Sequence, residues 1–188
     1  MRVLETLLAK DWMKRLGGLA LVMSLLCACS PAYNWREVRV DGISLTVMLP
    51  CKPDHGQRDL PLVASHPVKV NMTGCKAGDA TFAVAWADIG QPGDAPEALK
   101  RWKRATMQPF QSGSLQMLPP SGPGSAQGRG TEVVSASVRQ ADGRNLEMQG
   151  AWWVNGTQVV QAVVFAEDLP GGLPGGVTEP FFSGVALK

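Results

Sequence analysis

The chain has 188 residues, 45% of them hydrophobic and 18% charged, with 21 Gly and 14 Pro. That is the size of one ordinary domain plus whatever the termini add, and the composition excludes both a coiled coil and a disordered tail. The net charge of +2 resides in residues 1–28, with four basic and two acidic side chains; residues 29–188 balance fourteen of each sign, which excludes a generally basic coat for nucleic acid.

Leu16 to Ala28 form an apolar run of 13 residues directly after Lys14 and Arg15. A bilayer-spanning helix needs roughly 20 apolar residues, so this run is too short for a stable anchor. A positive flank, a short apolar core and a small residue before the cut are the parts of a secretory signal. The run ends Leu26-Cys27-Ala28-Cys29-Ser30. This resembles the lipobox of bacterial lipoproteins: an aliphatic residue at −3, a small one at −1, then the cysteine that is acylated. Cys29 fits that pattern with Ala28 before it; Cys27 fits poorly, because Leu26 would take the small-residue position.

The resemblance implies a lipoprotein signal over 1–28, lipid on Cys29, a lipidated tether over 29–34 and a single domain over 35–188. Such a tether spans at most about 20 Å beyond the cysteine, which keeps the domain close to the membrane. Attachment through the N-terminal lipid places the chain in the bacterial cell envelope. Ser30, rather than Asp, resembles the sorting pattern for the outer membrane, facing the periplasm. From Met13 the chain reads MKRLGGLALVMSLLCAC, a compact signal, whereas Glu5 and Asp11 are unusual in such a leader. Translation is therefore expected to start at Met13. Export leaves Cys51 and Cys75 as an even pair in an oxidising compartment, a candidate disulfide.

In the mature chain, Ile43, Leu45, Val47 and Leu49 alternate with Ser44, Thr46 and Met48, a strand that Pro50 stops. Val68, Val70 and Met72 alternate with Lys69, Asn71 and Thr73 in a second half-buried strand. As a simple hairpin, these strands would put Cys51 and Cys75 roughly 20 Å apart at about 3.3 Å per residue. A disulfide tolerates only about 4.4–6.8 Å between Cα atoms. Either the bridge is absent or the strands are not in simple hairpin register, and the compartment favours the bridge. Thr81 to Asp88 is apolar on both faces and reads as an interior strand.

The next element, a helix, carries Asp94 as a cap, Pro96 in its first turn and Glu97 at the capping-box position. Leu99, Trp102 and Thr106 share one side, extended by Ala95 and Phe110, while Lys100, Arg101, Lys103 and Arg104 form the other; Pro109 limits the end. Residues 119–130 read as an irregular loop. Asn155-Gly156 then reads as a two-residue hairpin turn. Folding about it places Trp152 opposite Val159, Met148 opposite Val163 and Leu146 opposite Phe165, with Trp153 and Glu147 on the other, wetter face. Asp142-Gly143 supplies a similar turn to a strand near Thr131 to Arg139. A Gly/Pro loop over 170–176 leads to a short helix, with Thr178 as cap, Pro180 in its first turn, and Phe181 and Phe182 as its apolar contact.

The phrases ISLTVMLPCKP, TFAVAWADI, GAWWVNGTQVVQAVVF and EPFFSGVAL, together with the helix, resemble a group of small uncharacterised bacterial lipoproteins. The resemblance spans most of residues 35–188 and implies a PsbP-like α+β sandwich. Its expected form is an antiparallel β-sheet meander flanked by a central helix and a short C-terminal helix. Its motifs are structural and bring no catalytic residues, and a shared fold would not supply function.

Chemistry is sparse. His55 and His66, with Asp54 and Asp59, stand in what reads as a polar loop, and their spacing matches no zinc signature, so no metal or cofactor is expected. No nucleophile elbow, zincin helix or phosphate loop occurs. Two features remain: the basic helix face of Lys100, Arg101, Lys103 and Arg104, and Trp153, which must face away from Trp152. Each has a bland reading, a solvated face and a core residue. The functional alternative is contact with anionic lipid or an envelope protein. The expectation is a lipid-anchored, non-enzymatic accessory or interaction module that binds no nucleic acid. The alternative is a small-ligand carrier with a pocket between sheet and helices.

Overall fold

The computed structural model describes residues 33–121, 131–173 and 175–187. The expected signal over 1–28, the start at Met13, the lipid site Cys29 and most of the tether lie outside the described residues. Within them the chain is an α+β protein of antiparallel sheets and two helices.

β1 (Arg36–Val40) and β2 (Leu45–Leu49) pair antiparallel, and β10 (Ala186–Leu187) adds to the other edge of β2. The other sheet holds β3 (Asp54–Leu60), β4 (Val68–Ala77), β5 (Ala80–Asp88), β6 (Ser114–Ser121), β7 (Thr131–Arg139), β8 (Asn145–Asn155) and β9 (Gln158–Glu167). Its order is β3-β4-β5-β9-β8-β7-β6, antiparallel throughout. The helices are α1 (Ala95–Met107), continued by a 3-10 turn over Gln108–Phe110, and α2 (Gly175–Ser183).

Because strand side chains alternate between faces, the large sheet buries both sides. Phe82 and Val84 of β5, Val160, Ala162 and Val164 of β9, and Ala151 and Trp153 of β8 point one way. They share a core with Val47 and Leu49 of β2 and with Phe181 and Phe182 of α2. The opposite face carries Val68 and Val70 of β4, Ala85 and Ala87 of β5 and Val159 of β9, which pack on Ala95, Ala98 and Trp102 of α1. Further along the same face, Met148 and Trp152 of β8, Val134 and Ala136 of β7 and Val163 of β9 pack on Phe110. α1 therefore lies on one side of the large sheet, and the small sheet with α2 lies on the other.

The disulfide joins these layers. Cys51, just past β2, and Cys75, in β4, are bonded with Cα atoms 5.9 Å apart. Cys51 follows β2 of the small sheet and Cys75 lies in β4 of the large one, which removes the hairpin conflict. β4 pairs instead with β3, whose sequence DHGQRDL lacks the apolar alternation that marks a strand. The segment read as a polar loop around His55 is thus an edge strand. Its charged side chains suit an edge, where they discourage pairing with another chain.

Four other expectations change. The β8–β9 turn is centred one residue later, on Gly156 and Thr157: Asn155 pairs with Gln158, Trp152 with Gln161, Met148 with Phe165 and Leu146 with Glu167. Gly156, at φ 63°, takes the left-handed conformation that the first central position of such a turn requires. Moving the turn by one residue changes each partner by two, so every side chain keeps its face. At the edge beyond β7, residues 119–121 belong to β6 rather than to a loop, although the two prolines there donate no ladder hydrogen bond. Finally, Asp94 makes no side-chain cap, and Glu97 turns to Lys100 (3.9 Å) and Arg101 (3.5 Å) instead of closing a capping box. In α2, Thr178 and Pro180 lie inside the helix, which begins at Gly175.

Candidate functional site

α1 fixes the basic residues. Its apolar side, Ala98 and Trp102 with half-buried Leu99, is held on the sheet, so Lys100, Arg101, Lys103 and Arg104 stand exposed. Docking is pinned by a buried polar junction. Gln161 Oε1 accepts a hydrogen bond from Trp152 Nε1 at 2.7 Å and from Thr106 Oγ1 at 2.8 Å. The Thr106 hydroxyl also lies 3.1 Å from the Trp102 carbonyl oxygen. Lys103 Nζ sits 5.4 Å from the centre of the Trp152 ring, a cation–π contact that holds this ammonium over the junction.

Charge on this face is uneven. Glu97 offsets Lys100 and Arg101, whereas among the described residues no carboxylate lies within ion-pair distance of Lys103 or Arg104. Lys100 and Lys103 border an open groove of about 270 Å³ between α1 and the strands beneath it, where Glu132 supplies the opposing charge and Trp152 the floor.

The same side of the sheet carries an apolar component. Leu115 and Met117 of β6 are 62% and 53% exposed. They pair with Ala136 and Val134, whose side chains face α1, so Leu115 and Met117 project on the α1 side as well. The sequence signal was the alternation Leu115-Gln116-Met117-Leu118 at the front of what became an edge strand, too short and too close to two prolines to stand out.

Trp153 does not join this face. It is 9% exposed and packs in the core between the two sheets, with its Nε1 buried and without a hydrogen-bond partner among the described residues. What covers it is the second sheet, whose β1 and β2 come more than a hundred residues earlier in the chain, together with α2, which no local pattern around Trp153 discloses. Trp153 is a core residue and not part of the exposed contact face.

The remaining polar groups are structural or isolated. His55 Nδ1 lies 3.2 Å from Thr73 Oγ1 on the β3–β4 ladder, while His66 lies in the connection at the other end of that hairpin, 2.9 Å from Ser65 Oγ. Among the described residues no three His, Cys, Asp or Glu side chains gather as a metal site. At the β7–β8 turn, Asp142 accepts the Arg144 backbone N–H at 3.0 Å and its Nε at 2.8 Å, and Arg144 Nη1 reaches Glu167 at 2.5 Å. The Arg144 amide, then its guanidinium, hold the Asp142 carboxyl below its ordinary range, and Asp142 in turn raises the Arg144 pKa. That cluster is exposed and closes a turn.

Among the described residues no helix is long and apolar enough to cross a membrane. No protein-family model matches the chain, and comparison with curated proteins gives no match.

Proposed function

We propose that this chain is a lipid-anchored, non-enzymatic accessory module of the bacterial cell envelope, tethered through Cys29, whose α1 face rests against an anionic membrane surface. The observation that carries the contact is the combination on one side of the sheet: Lys103 and Arg104, with no carboxylate within ion-pair distance among the described residues, and the exposed Leu115 and Met117. Basic groups near anionic head groups contribute about 1 kcal/mol each, so this pair supplies about 2 kcal/mol. Two adjacent apolar side chains suit the boundary between head groups and acyl chains. Neither term would hold a protein at a membrane alone. Both matter for a domain that a lipid on Cys29 and a short tether already keep there. The antiparallel α+β architecture supports the PsbP-like sandwich as the underlying fold, and the outer membrane facing the periplasm remains the proposed location.

The anchor is tested by mass spectrometry of the purified native protein, which should begin at an acylated Cys29; an unmodified cysteine with the leader retained would reject it. The contact is tested on the lipidated protein reconstituted into vesicles, by acetylation footprinting of lysines. Lys100 and Lys103 should be protected in phosphatidylglycerol-containing vesicles relative to pure phosphatidylcholine, while Lys69 on β4 labels equally in both. Equal labelling of all three in the two vesicles rules the contact out.

A further inference from the structure

On the side of the large sheet away from α1, an open pocket of about 480 Å³ lies against α2. Leu118 and Pro119 of β6, Val133 of β7 and Phe182 of α2 give it apolar walls. Into this setting the fold places two polar side chains that are more than nine-tenths buried, Gln149 of β8 at 7% exposure and Thr178 of α2 at 3%. Neither side chain has a hydrogen-bond partner among the described residues. Their polar atoms are not sealed either: Trp153 Nε1 is the only described side-chain atom that is both fully occluded and unpartnered. The Gln149 amide and the Thr178 hydroxyl therefore open onto the pocket.

The contrast with Gln161 is informative. Both glutamines sit within strands of the large sheet at the same 7% exposure, one on each face. Gln161 is satisfied twice by protein donors, from Trp152 and Thr106. Gln149 is offered no protein partner among the described residues, so its amide takes its hydrogen bonds from whatever occupies the pocket, water or ligand. A cavity that served packing alone would be lined by apolar groups throughout, as it is at Leu118, Pro119, Val133 and Phe182. The volume also falls in the range of small-molecule sites, which combine apolar walls with a few converging polar groups.

We propose that this pocket is a binding site for a small amphiphile with a hydrogen-bond-donating head, an amine or a primary amide. Its apolar body rests on Val133, Leu118 and Phe182, and its head reaches the Gln149 side-chain oxygen and the Thr178 hydroxyl. Glu179, beside Thr178 at the exposed rim, attracts an ammonium and repels a carboxylate. The site thus selects against fatty acids while accepting amines and amides of similar length. This assignment does not depend on the membrane contact proposed for the opposite face.

The test uses the full chain in lipid nanodiscs and a photoactivatable diazirine alkylamine, with adducts mapped by mass spectrometry. Adducts should concentrate on the peptides containing Val133, Gln149 and Thr178–Phe182. Unlabelled hexylamine and hexanamide should suppress them, and hexanoate should need at least tenfold higher concentration. Gln149→Leu with Thr178→Val, which keeps the volume and removes the polar atoms, should lower labelling at least tenfold while the circular dichroism spectrum stays unchanged. Adducts spread over the surface, equal competition by hexanoate, or full labelling of a folded double variant would each overturn the proposal. Should the double variant not fold, the ranking of amine, amide and carboxylate on the wild-type chain decides alone.

Discussion

Trp152 and Trp153 are neighbours on one strand, both buried, and they differ in the fate of one proton. Trp152 Nε1 donates to Gln161 at 2.7 Å, whereas Trp153 Nε1 is enclosed without a partner among the described residues. Replacing each in turn by Phe removes the same volume and the same donor from sites of similar burial, so the packing loss largely cancels between the variants. What differs is the hydrogen bond. Trp152→Phe forfeits a net contribution of about 1 kcal/mol, leaving Gln161 Oε1 its bond from Thr106. Trp153→Phe relieves an unpaired buried donor that costs about 1–3 kcal/mol. Trp152→Phe should therefore be the less stable variant by about 2–4 kcal/mol. Urea unfolding monitored by far-ultraviolet circular dichroism, with the disulfide intact, measures the gap provided both variants keep the wild-type m-value. If Trp153→Phe proves as destabilising as Trp152→Phe at equal m, the assignment of their hydrogen bonding is wrong.

Three further outcomes are expected. Replacing Cys51 and Cys75 together by Ser releases a loop of sequence separation 24, worth about 3.5 kcal/mol in the chain-entropy account. At an m-value of about 2 kcal/mol/M, the urea midpoint should fall by about 1.5–2 M, and an unchanged midpoint would contradict the crosslink. Gly74→Ala should destabilise by about 1–3 kcal/mol or more, because the added Cβ would collide with the Phe82 carbonyl oxygen and stand 3.0 Å from the Ala83 Cα, backbone atoms that cannot rotate away; thermal unfolding reports it. Asp142 should titrate below its ordinary value of 3.8, so its interactions with Arg144 persist above the unfolded carboxylate pKa and disappear as pH falls through the depressed one. Carboxyl NMR in wild type and Arg144→Gln tracks this, with the midpoint rising in the variant.

The elements most legible in the sequence were those whose periodicity met a single buried face or a long unbroken apolar run. Ile43 to Leu49 alternated cleanly and became β2, and Thr81 to Asp88 proved interior, flanked by β4 and β9. The spacing of Ala95, Leu99 and Trp102 set the inner side of α1. The sequence pattern sets the turn between β8 and β9 one residue early because Asn-Gly is a stronger turn signal than Gly-Thr, whereas of Asn155, Gly156 and Thr157 only Gly156 takes a positive φ. β3 is hidden in the sequence for the opposite reason: an edge strand gains from charge, and Asp54, His55, Arg58 and Asp59 conceal a strand as effectively as they protect it.

Local pattern also could not say which surfaces a distant segment would cover. Alternation showed that Trp152 and Trp153 face opposite ways, but it carried no information that β2 and α2 would close over one of them. The two glutamines make the same point for chemistry. Gln149 and Gln161 each interrupt an apolar strand, a pattern that ordinarily marks a side chain satisfied by a neighbouring layer. For Gln161 that layer is α1, whose Thr106 arrives at bonding distance because Trp102 seats the helix one turn away. For Gln149 the facing layer is α2, and Thr178, the group placed to answer it, opens onto the same pocket without bonding to it. Two buried polar groups converging on shared space and unbonded to each other leave room for a third molecule, and it is this three-dimensional mismatch, absent from either residue's sequence context, that separates a binding site from a core.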